Sequence, residues 1–168
     1  MTHALRTATP ADAGAITDLL NHYVSKTTST FITEPQTVEQ QIAWFTQRSE
    51  RYPAVAVETG GRLIGWGALS PHNPRGGYRY SADISIYLHP DFHRQGIGRA
   101  LLRELIERAR SLGHHVLVAG CCTESTASIA LHESLGFERV GTFRQIGRKF
   151  DRWLDVVYLQ LILGKEEP

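Results

Sequence analysis

The chain has little cysteine and no long hydrophobic run, and each shortage excludes a class of protein. Its 168 residues contain only two cysteines, Cys121 and Cys122, which are adjacent. Neighbouring residues rarely reach disulfide geometry, and one pair is too few for a zinc site, so we expect neither a disulfide framework nor a bound metal. No apolar run approaches a membrane span, and the N-terminus lacks the apolar core of a signal peptide. These features predict a protein of the reducing cytoplasm that does not contact membranes.

An excess of charge of one sign is also missing. Eighteen Lys and Arg residues against 17 Asp and Glu residues leave a formal net charge of +1. This balance argues against a broad nucleic-acid-binding surface, and it makes basic side chains important locally rather than globally. The length suits one domain with a substantial core, so we expect a single domain over residues 1–168.

The most informative stretch that is present spans residues 88–112. It predicts the end of a strand, a turn containing Gly96 and Gly98, and a long helix with one apolar stripe at helical spacing. The first N–H groups of a helix lack internal partners, and the helix dipole makes that end partly positive. Glycines let an anion approach those groups, so the pattern predicts a cradle for phosphate or pyrophosphate. Further side-chain donors around this turn are His93, Arg94 and Arg99.

Other nucleotide-binding turns fit this stretch less well. The run from Gly96 to Leu101 lacks the third glycine of a dinucleotide-binding fingerprint, and it lies past the middle of the chain. A P-loop is excluded because no Gly-Lys-Ser or Gly-Lys-Thr follows. The plain alternative is a helix that merely begins at a glycine turn.

A second motif lies downstream, where residues 128–137 read SIALHESLGF. Together with LHPDFHRQGIGRALL, it resembles the GNAT superfamily of N-acetyltransferases, in which such a cradle holds the pyrophosphate of coenzyme A. Residues 29–37, 80–88 and 141–158 are similar to the phosphinothricin and methionine sulfoximine acetyltransferases of that superfamily. The resemblance extends from about Leu5 to about Leu161.

The resemblance implies an α/β fold with a mixed, mostly antiparallel central sheet of about seven strands, flanked by about four helices. It also implies acetyl-CoA as co-substrate, without a metal, and a homodimer. Two departures weaken individual coenzyme contacts, because His93 stands where glutamine or arginine is usual and Ser125 where asparagine is frequent. By resemblance, the coenzyme-binding residues are Ile86, Tyr87, Leu88, His93, Arg94, Gln95, Gly96, Ile97, Gly98, Arg99, Ser125 and Ser128.

The resemblance and the chemistry of acetyl transfer together indicate two catalytic residues. His132 occupies a position where most of the superfamily has tyrosine, and it could donate a proton to the departing thiolate. The alternative is a partly buried histidine that bonds a backbone carbonyl. Asp83 stands where the subgroup has glutamate, and its carboxylate could take a proton from the substrate ammonium or hold the amine by charge. Because aspartate is one methylene shorter, a water relay or a different substrate becomes more plausible.

The acceptor site is predicted from the resemblance alone. Its residues would be Phe31, Asn73, Arg75, Tyr78, Asp83 and Trp153. Cations that could meet a carboxylate or phosphinate group are Arg75, Arg79 and Lys149, although each could also be an ordinary exposed cation. An acetyl-cysteine intermediate on Cys121 or Cys122 is disfavoured, since a thiolate needs activation by a base or by positive neighbours.

The sequence therefore predicts direct attack of a small amino-acid-like amine on the bound thioester. Phosphinothricin and methionine sulfoximine are the first acceptors to test. An acetyltransferase for a peptide N-terminus or a polyamine is the alternative enzyme, although the basic loop from Asn73 to Arg79 argues against polyamines. A protein that binds coenzyme A without catalysis is the alternative from another class.

Overall fold

The computed structural model describes residues 3–164 and contains, within that range, seven strands and four α-helices. Short 3-10 helices lie in three of the connections, at Pro10–Asp12, Gly76–Tyr78 and Pro90–Phe92. The main elements are β1 (Ala4–Thr7), α1 (Ala13–Lys26), α2 (Val38–Thr46), β2 (Ala54–Thr59), β3 (Arg62–Pro71), β4 (Ser81–Leu88), α3 (Ile97–Ser111), β5 (Val116–Cys122), α4 (Thr126–Glu133), β6 (Glu138–Lys149) and β7 (Arg152–Ile162).

The strands form one sheet in the order β1-β2-β3-β4-β5-β7-β6. All neighbouring strands in it are antiparallel except β4 and β5, which are parallel. This mixed, mostly antiparallel sheet confirms the predicted fold. The pairing of β4 with β5 covers only Ser81–Asp83 against Val116–Val118. The C-terminal halves of the two strands are therefore free to line a cleft.

Two hydrophobic clusters hold β4 from opposite faces of the sheet. Successive side chains of a strand alternate between faces, and Ile84 and Leu88 pack into the cluster that contains the apolar stripe of α3. Tyr87 packs into the other cluster, beneath α1 and α2, and its ring stacks on Trp66 at 5.1 Å. The strand that borders the cleft is therefore fixed on both sides.

Helices α2 and α3 begin in different ways. Thr37 and Gln40 form a capping box at α2, since the Gln40 N–H donates to Thr37 Oγ1 at 3.2 Å and the Thr37 N–H donates to Gln40 Oε1 at 2.8 Å. Helix α3 begins instead at Gly96, whose φ is 79°, and no side chain caps it. Its first N–H groups are thus available to another partner.

Strand β6 runs from Glu138 to Lys149 and continues past an irregularity that follows Phe143. A bulge at Gln145 lets the strand continue, because this residue has a φ of 53° and its N–H donates to Asp155 Oδ1 at 2.7 Å. Regular pairing with β7 resumes at Gly147. Glutamine rarely adopts a positive φ, so nothing local in the sequence indicated this bulge.

Candidate active site

A cleft of about 600 Å³ opens between β4 and β5, where the two strands no longer pair with each other. Its walls are Ile84–Leu88 and Ala119–Cys121, and it reaches the first turns of α3 and α4. Most of the predicted coenzyme-binding residues border this one cleft, together with the predicted catalytic histidine. They are Ile86, Tyr87, Leu88, His93, Arg94, Gly96, Gly98, Arg99, Ser125, Ser128 and His132.

Two predicted coenzyme contacts do not line the cleft with their side chains. Ile97 is only 4% exposed, because it begins the apolar stripe by which α3 packs into the core. Gln95 folds back on the preceding turn, where its Nε2 donates to the Asp91 carbonyl at 3.0 Å. Ile97 and Gln95 could therefore contact a bound anion only through their backbone atoms.

The backbone of the turn at the start of α3 has the geometry that an anion-binding site needs. Arg94 and Gly96 both have positive φ, at 60° and 79°, which turns the chain sharply into the helix. A Cβ built on Gly96 would meet no atom within 4 Å, so the space above the turn is open. With no side chain capping α3, its positive end faces that space.

Two of the three predicted side-chain donors are engaged elsewhere. Arg99 donates to Ser134 Oγ at 2.9 Å. His93 places its Nε2 at 3.0 Å from the Leu88 carbonyl, which also accepts the hydroxyl of Tyr23 at 2.6 Å. Tyr23 also lines the cleft from α1, although it was not among the site residues predicted from the sequence. Of the predicted groups of the cradle, the backbone N–H groups and Arg94 therefore remain free to meet an anion.

His132 is 3% exposed and borders the cleft from α4. A carbonyl oxygen only accepts, so the 2.8 Å contact to the Ser128 carbonyl places the ring proton on Nδ1. The other nitrogen, Nε2, is buried and has no partner among the described residues. Burial lowers the pKa of His132, and the bond to Ser128 opposes this only in part. The ring is therefore neutral, with Nε2 as a proton acceptor rather than a ready donor.

Asp83 does not line the cleft: it is the last β4 residue that pairs with β5, and it immediately precedes Ile84, the first β4 residue of the lining. Its Oδ1 is 2.7 Å from His72 Nδ1. His72 was not among the residues predicted from the sequence, since one histidine of eight in a polar loop carries no local signal. The 3-10 turn at Gly76–Tyr78 belongs to the same loop, and the Tyr78 ring is 5.8 Å from the His72 ring.

The predicted acceptor residues fall into two groups. Asn73 and Arg75 lie in the loop that carries His72, where Asn73 Oδ1 accepts the Arg75 N–H at 3.0 Å. Phe31 and Trp153 have other contacts: the Phe31 ring covers Gly147 of β6 so closely that a Cβ there would overlap it. Trp153 is largely exposed and lies 5.8 Å below the Arg148 guanidinium. None of these latter contacts involves the His72–Asp83 pair.

Lys149, one of the cations that could have met a substrate carboxylate or phosphinate group, is not accessible. It is buried, and its Nζ donates to the Thr30 carbonyl at 2.7 Å. Burial lowers its pKa. The side chain fastens the segment before Phe31 to the end of β6 and is not exposed to meet a substrate anion. Arg79 is likewise engaged, since its Nη2 donates to the Tyr80 hydroxyl at 2.7 Å.

Comparison with known proteins decides the family. A family model described as the acetyltransferase (GNAT) family matches residues 16–137. The chain belongs to this family. It is 38% identical over 167 residues to the L-amino acid N-acyltransferase MnaT of Escherichia coli strain K12, covering 98% of this chain and 97% of the relative. It is also 38% identical over 162 residues to the L-methionine sulfoximine/L-methionine sulfone acetyltransferase of Salmonella typhimurium strain LT2, covering 96% and 95%.

A solved GNAT structure agrees with the fold over almost the whole chain. The phosphinothricin acetyltransferase from Sinorhizobium meliloti, in complex with acetyl-CoA, superposes with a TM-score of 0.93 at 36% identity. The match covers 98% of this chain and 90% of that one. The predicted resemblance to the phosphinothricin and methionine sulfoximine acetyltransferases is thereby confirmed.

Cys121 borders the cleft of this GNAT protein but is poorly suited to covalent catalysis. It is buried, and its Sγ lies 3.6 Å from Ser128 Oγ. Burial raises the pKa of the Cys121 thiol, which disfavours the nucleophilic thiolate. Over residues 3–164, no group of three or more His, Cys, Asp or Glu side chains could hold a metal ion, and no helix is long and apolar enough to cross a membrane.

Proposed function

We propose that this protein transfers the acetyl group of acetyl-CoA to the amino group of a small amino-acid-like substrate of the methionine sulfoximine or phosphinothricin type. One observation carries the proposal: a cleft with an anion cradle at the start of α3 extends along β4 to Ile84, next in the chain to the paired carboxylate of Asp83. The cradle suits the coenzyme, and the carboxylate suits an ammonium group. The names of the relatives, an L-amino acid acyltransferase and a methionine sulfoximine acetyltransferase, support this pairing.

The coenzyme would lie along the free edge of β4. Its pyrophosphate accepts from the N–H groups of the turn at Gly96–Gly98, with Arg94 as a side-chain donor. The edge of Ile86–Leu88 that faces away from β3 can bond the pantetheine arm as another strand would. The N–H near Ile86 then faces the thioester oxygen and stabilises the negative charge that develops there. Ser125 and Ser128 border the same space.

The acceptor would enter from the loop between β3 and β4. The Asp83 carboxylate attracts the substrate ammonium, while Arg75 is suited to the substrate's carboxylate or phosphinate. Direct attack of the amine requires no covalent intermediate on the protein. His132, which borders the cleft, would pass a proton from its Nε2 to the leaving sulfur once it has received one.

We expect thiol release from acetyl-CoA that saturates with methionine sulfoximine, phosphinothricin or a related amino acid. Asp83→Ala should lower kcat/KM by about 10²-fold or more, because the ammonium loses its counter-charge and the proton path is broken. Asp18→Ala, on the exposed side of α1, is the matched control and should leave the rate unchanged. Steady-state assays of thiol release measure both variants.

Other results of the same assay would redirect the proposal. Turnover only with peptide N-termini or polyamines would retain the enzyme class and reject the amino-acid substrate. Tight acetyl-CoA binding without thiol release on any amine would indicate a coenzyme-binding protein without catalysis.

We also propose a homodimer built on β6, the edge strand of the sheet. Apolar side chains on β6 are unusually exposed, for example Phe143 at 57% and Ile146 at 55%. Trp153 on the neighbouring strand β7 is also exposed, at 62%. Unpaired edge strands with apolar side chains are prone to association, so a second copy would cover them.

Light scattering after size-exclusion chromatography should therefore give the mass of two chains. Ile146→Lys should shift the mass toward one chain, because a charge would be buried without a partner. Glu138→Lys, an exposed charge change on the same strand, is the control. A single-chain mass for the unaltered protein at high concentration would reject the dimer.

The remaining expectations concern organisation and location. We assign residues 1–168 to one domain, since one continuous sheet involves every strand from β1 to β7. We assign the protein to the cytoplasm because both cysteines are free and buried, which fits a reducing compartment.

A further inference from the structure

His72 lies against Asp83 in a way that the proposed function does not explain. The His72 Nδ1 to Asp83 Oδ1 distance is 2.7 Å, well within the range of a charge-assisted hydrogen bond. Both side chains are accessible: the imidazole is 33% exposed and the carboxylate 49%. An acceptor molecule could therefore touch either of them.

The register of the sheet puts this pair just beyond the lining of the cleft, which begins on β4 at Ile84. Strand β3 ends at Pro71, which pairs with Ala82, and Ser70 pairs with Asp83. His72 is thus the first residue beyond β3, beside the β4 residue at which pairing with β5 stops. Asp83 and Ser85 share one face of β4, and Ser85 lines the cleft. The pair is therefore next to the space in which the thioester would lie.

The hydrogen bond determines what each partner can do chemically. A carboxylate only accepts, so the imidazole carries its proton on Nδ1 and keeps the lone pair on Nε2. A histidine oriented in this way by an aspartate is a familiar general base. Imidazole exchanges protons readily near neutral pH, whereas an accessible carboxylate is a weak base there. Of the two side chains, His72 is the better base and Asp83 the better orienting group.

We propose that His72 Nε2 is the base that takes the proton from the substrate ammonium, and that Asp83 is the positioning residue that orients the imidazole ring. The inference rests on the proposed function and names the proton acceptor within it. It also gives a role to Asp83, whose side chain is one methylene shorter than the glutamate of the subgroup that the sequence resembles. An aspartate that acts through histidine does not need to reach the amine itself.

The proton and bond changes balance as follows. The ammonium passes one proton to His72 Nε2, and the imidazolium so formed remains paired with the Asp83 carboxylate. The neutral amine forms a bond to the acetyl carbon, and the carbon–sulfur bond breaks. The second proton of the nitrogen moves to the sulfur, for which the neutral His132 is a suitable carrier. His72 then releases its proton to solvent.

His72→Asn is the decisive variant, since the asparagine amide can still donate to Asp83 but has no atom equivalent to Nε2. We expect kcat/KM for the amino acid to fall by about 10²-fold, with the KM for acetyl-CoA unchanged. His115→Asn, an exposed histidine at the start of β5, is the control for the same substitution. His72→Ala is the second variant, and circular dichroism checks that each protein is folded.

Two further measurements separate a base from a merely structural residue. The defect should shrink for amino-acid esters, whose less basic amines are already partly deprotonated. Added imidazole should restore part of the activity of His72→Ala. The double variant His72→Asn/Asp83→Asn should be no worse than the more damaged single variant, because the pair acts as a unit.

Three outcomes would overturn the inference. Full activity of His72→Asn beside an inactive Asp83→Ala would make Asp83 the base. An equal loss on all amines, without rescue by imidazole, would give His72 a structural role only. In both cases the proposed function stands. Absence of thiol release by the unaltered protein with every amine would instead reject the proposed function, and this inference with it.

Discussion

Gly98→Glu is expected to weaken acetyl-CoA binding by at least about 100-fold. The substitution puts a carboxylate in the first turn of α3, where the N–H groups and the helix dipole would otherwise attract the pyrophosphate. Its Cβ would also lie 3.3 Å from Leu131 Cδ2, so Leu131, which lines the cleft, must move. Isothermal titration calorimetry measures the effect directly. Thermal denaturation with and without acetyl-CoA gives a second measure, because a ligand stabilises only the protein that binds it.

The folded state of this variant should be unharmed, which separates binding from stability. An acidic residue near a helix N-terminus interacts favourably with the dipole, and Gly98 has no positive φ that a side chain would strain. Gly14→Glu is the matched control, since Gly14 lies in the first turn of α1 with nothing within 4 Å of its Cβ position. Equal acetyl-CoA affinity in the two variants would show that the start of α3 is not the anion site.

The cradle could be predicted from the sequence because its determinants are local. Two glycines at the start of an amphipathic repeat specify a turn and a helix, and both lie within residues 88–112. The capping box of α2 is local in the same sense, as Thr37 and Gln40 are three positions apart. In each case, the residues that determine the geometry are neighbours along the chain.

The contacts of the proposed acceptor site and of the segments around it could not be predicted, because they join distant parts of the chain. His72 meets Asp83 only through the register of β3 with β4 and the path of the loop between them. Lys149 and Thr30 are 119 positions apart, and Tyr23 and the Leu88 carbonyl are 65 apart. The family resemblance pointed to Asp83, but it could not point to a partner that the path of a loop brings next to it.

His132→Asn is expected to lower kcat by about 10²-fold while leaving the KM for acetyl-CoA nearly unchanged. The asparagine amide can replace Nδ1 in the bond to the Ser128 carbonyl, whereas the atom that exchanges a proton, Nε2, is removed. His114→Gln is the control, because His114 is also buried, and its Nε2 contacts the Arg51 carbonyl at 2.8 Å while Nδ1 has no partner among the described residues. Single-turnover measurements would show whether the loss is in the chemical step.

The pH dependence tests whether His132 works from its neutral form. Burial lowers the pKa of His132, so the ring stays neutral below the usual histidine value of about 6.5. If the proton passes through neutral Nε2, protonation of His132 should lower kcat only at pH values below about 6.5. This decrease of kcat should disappear in His132→Asn. As the pH falls, the unfolded chain takes up this proton before the folded protein does. The free energy of unfolding therefore decreases as the pH falls below about 6.5. In His132→Asn, this contribution to the acid destabilisation should be missing. A kcat that rises as the pH falls would instead mean that the protonated ring is the active form, and that His132 enters the reaction as an acid.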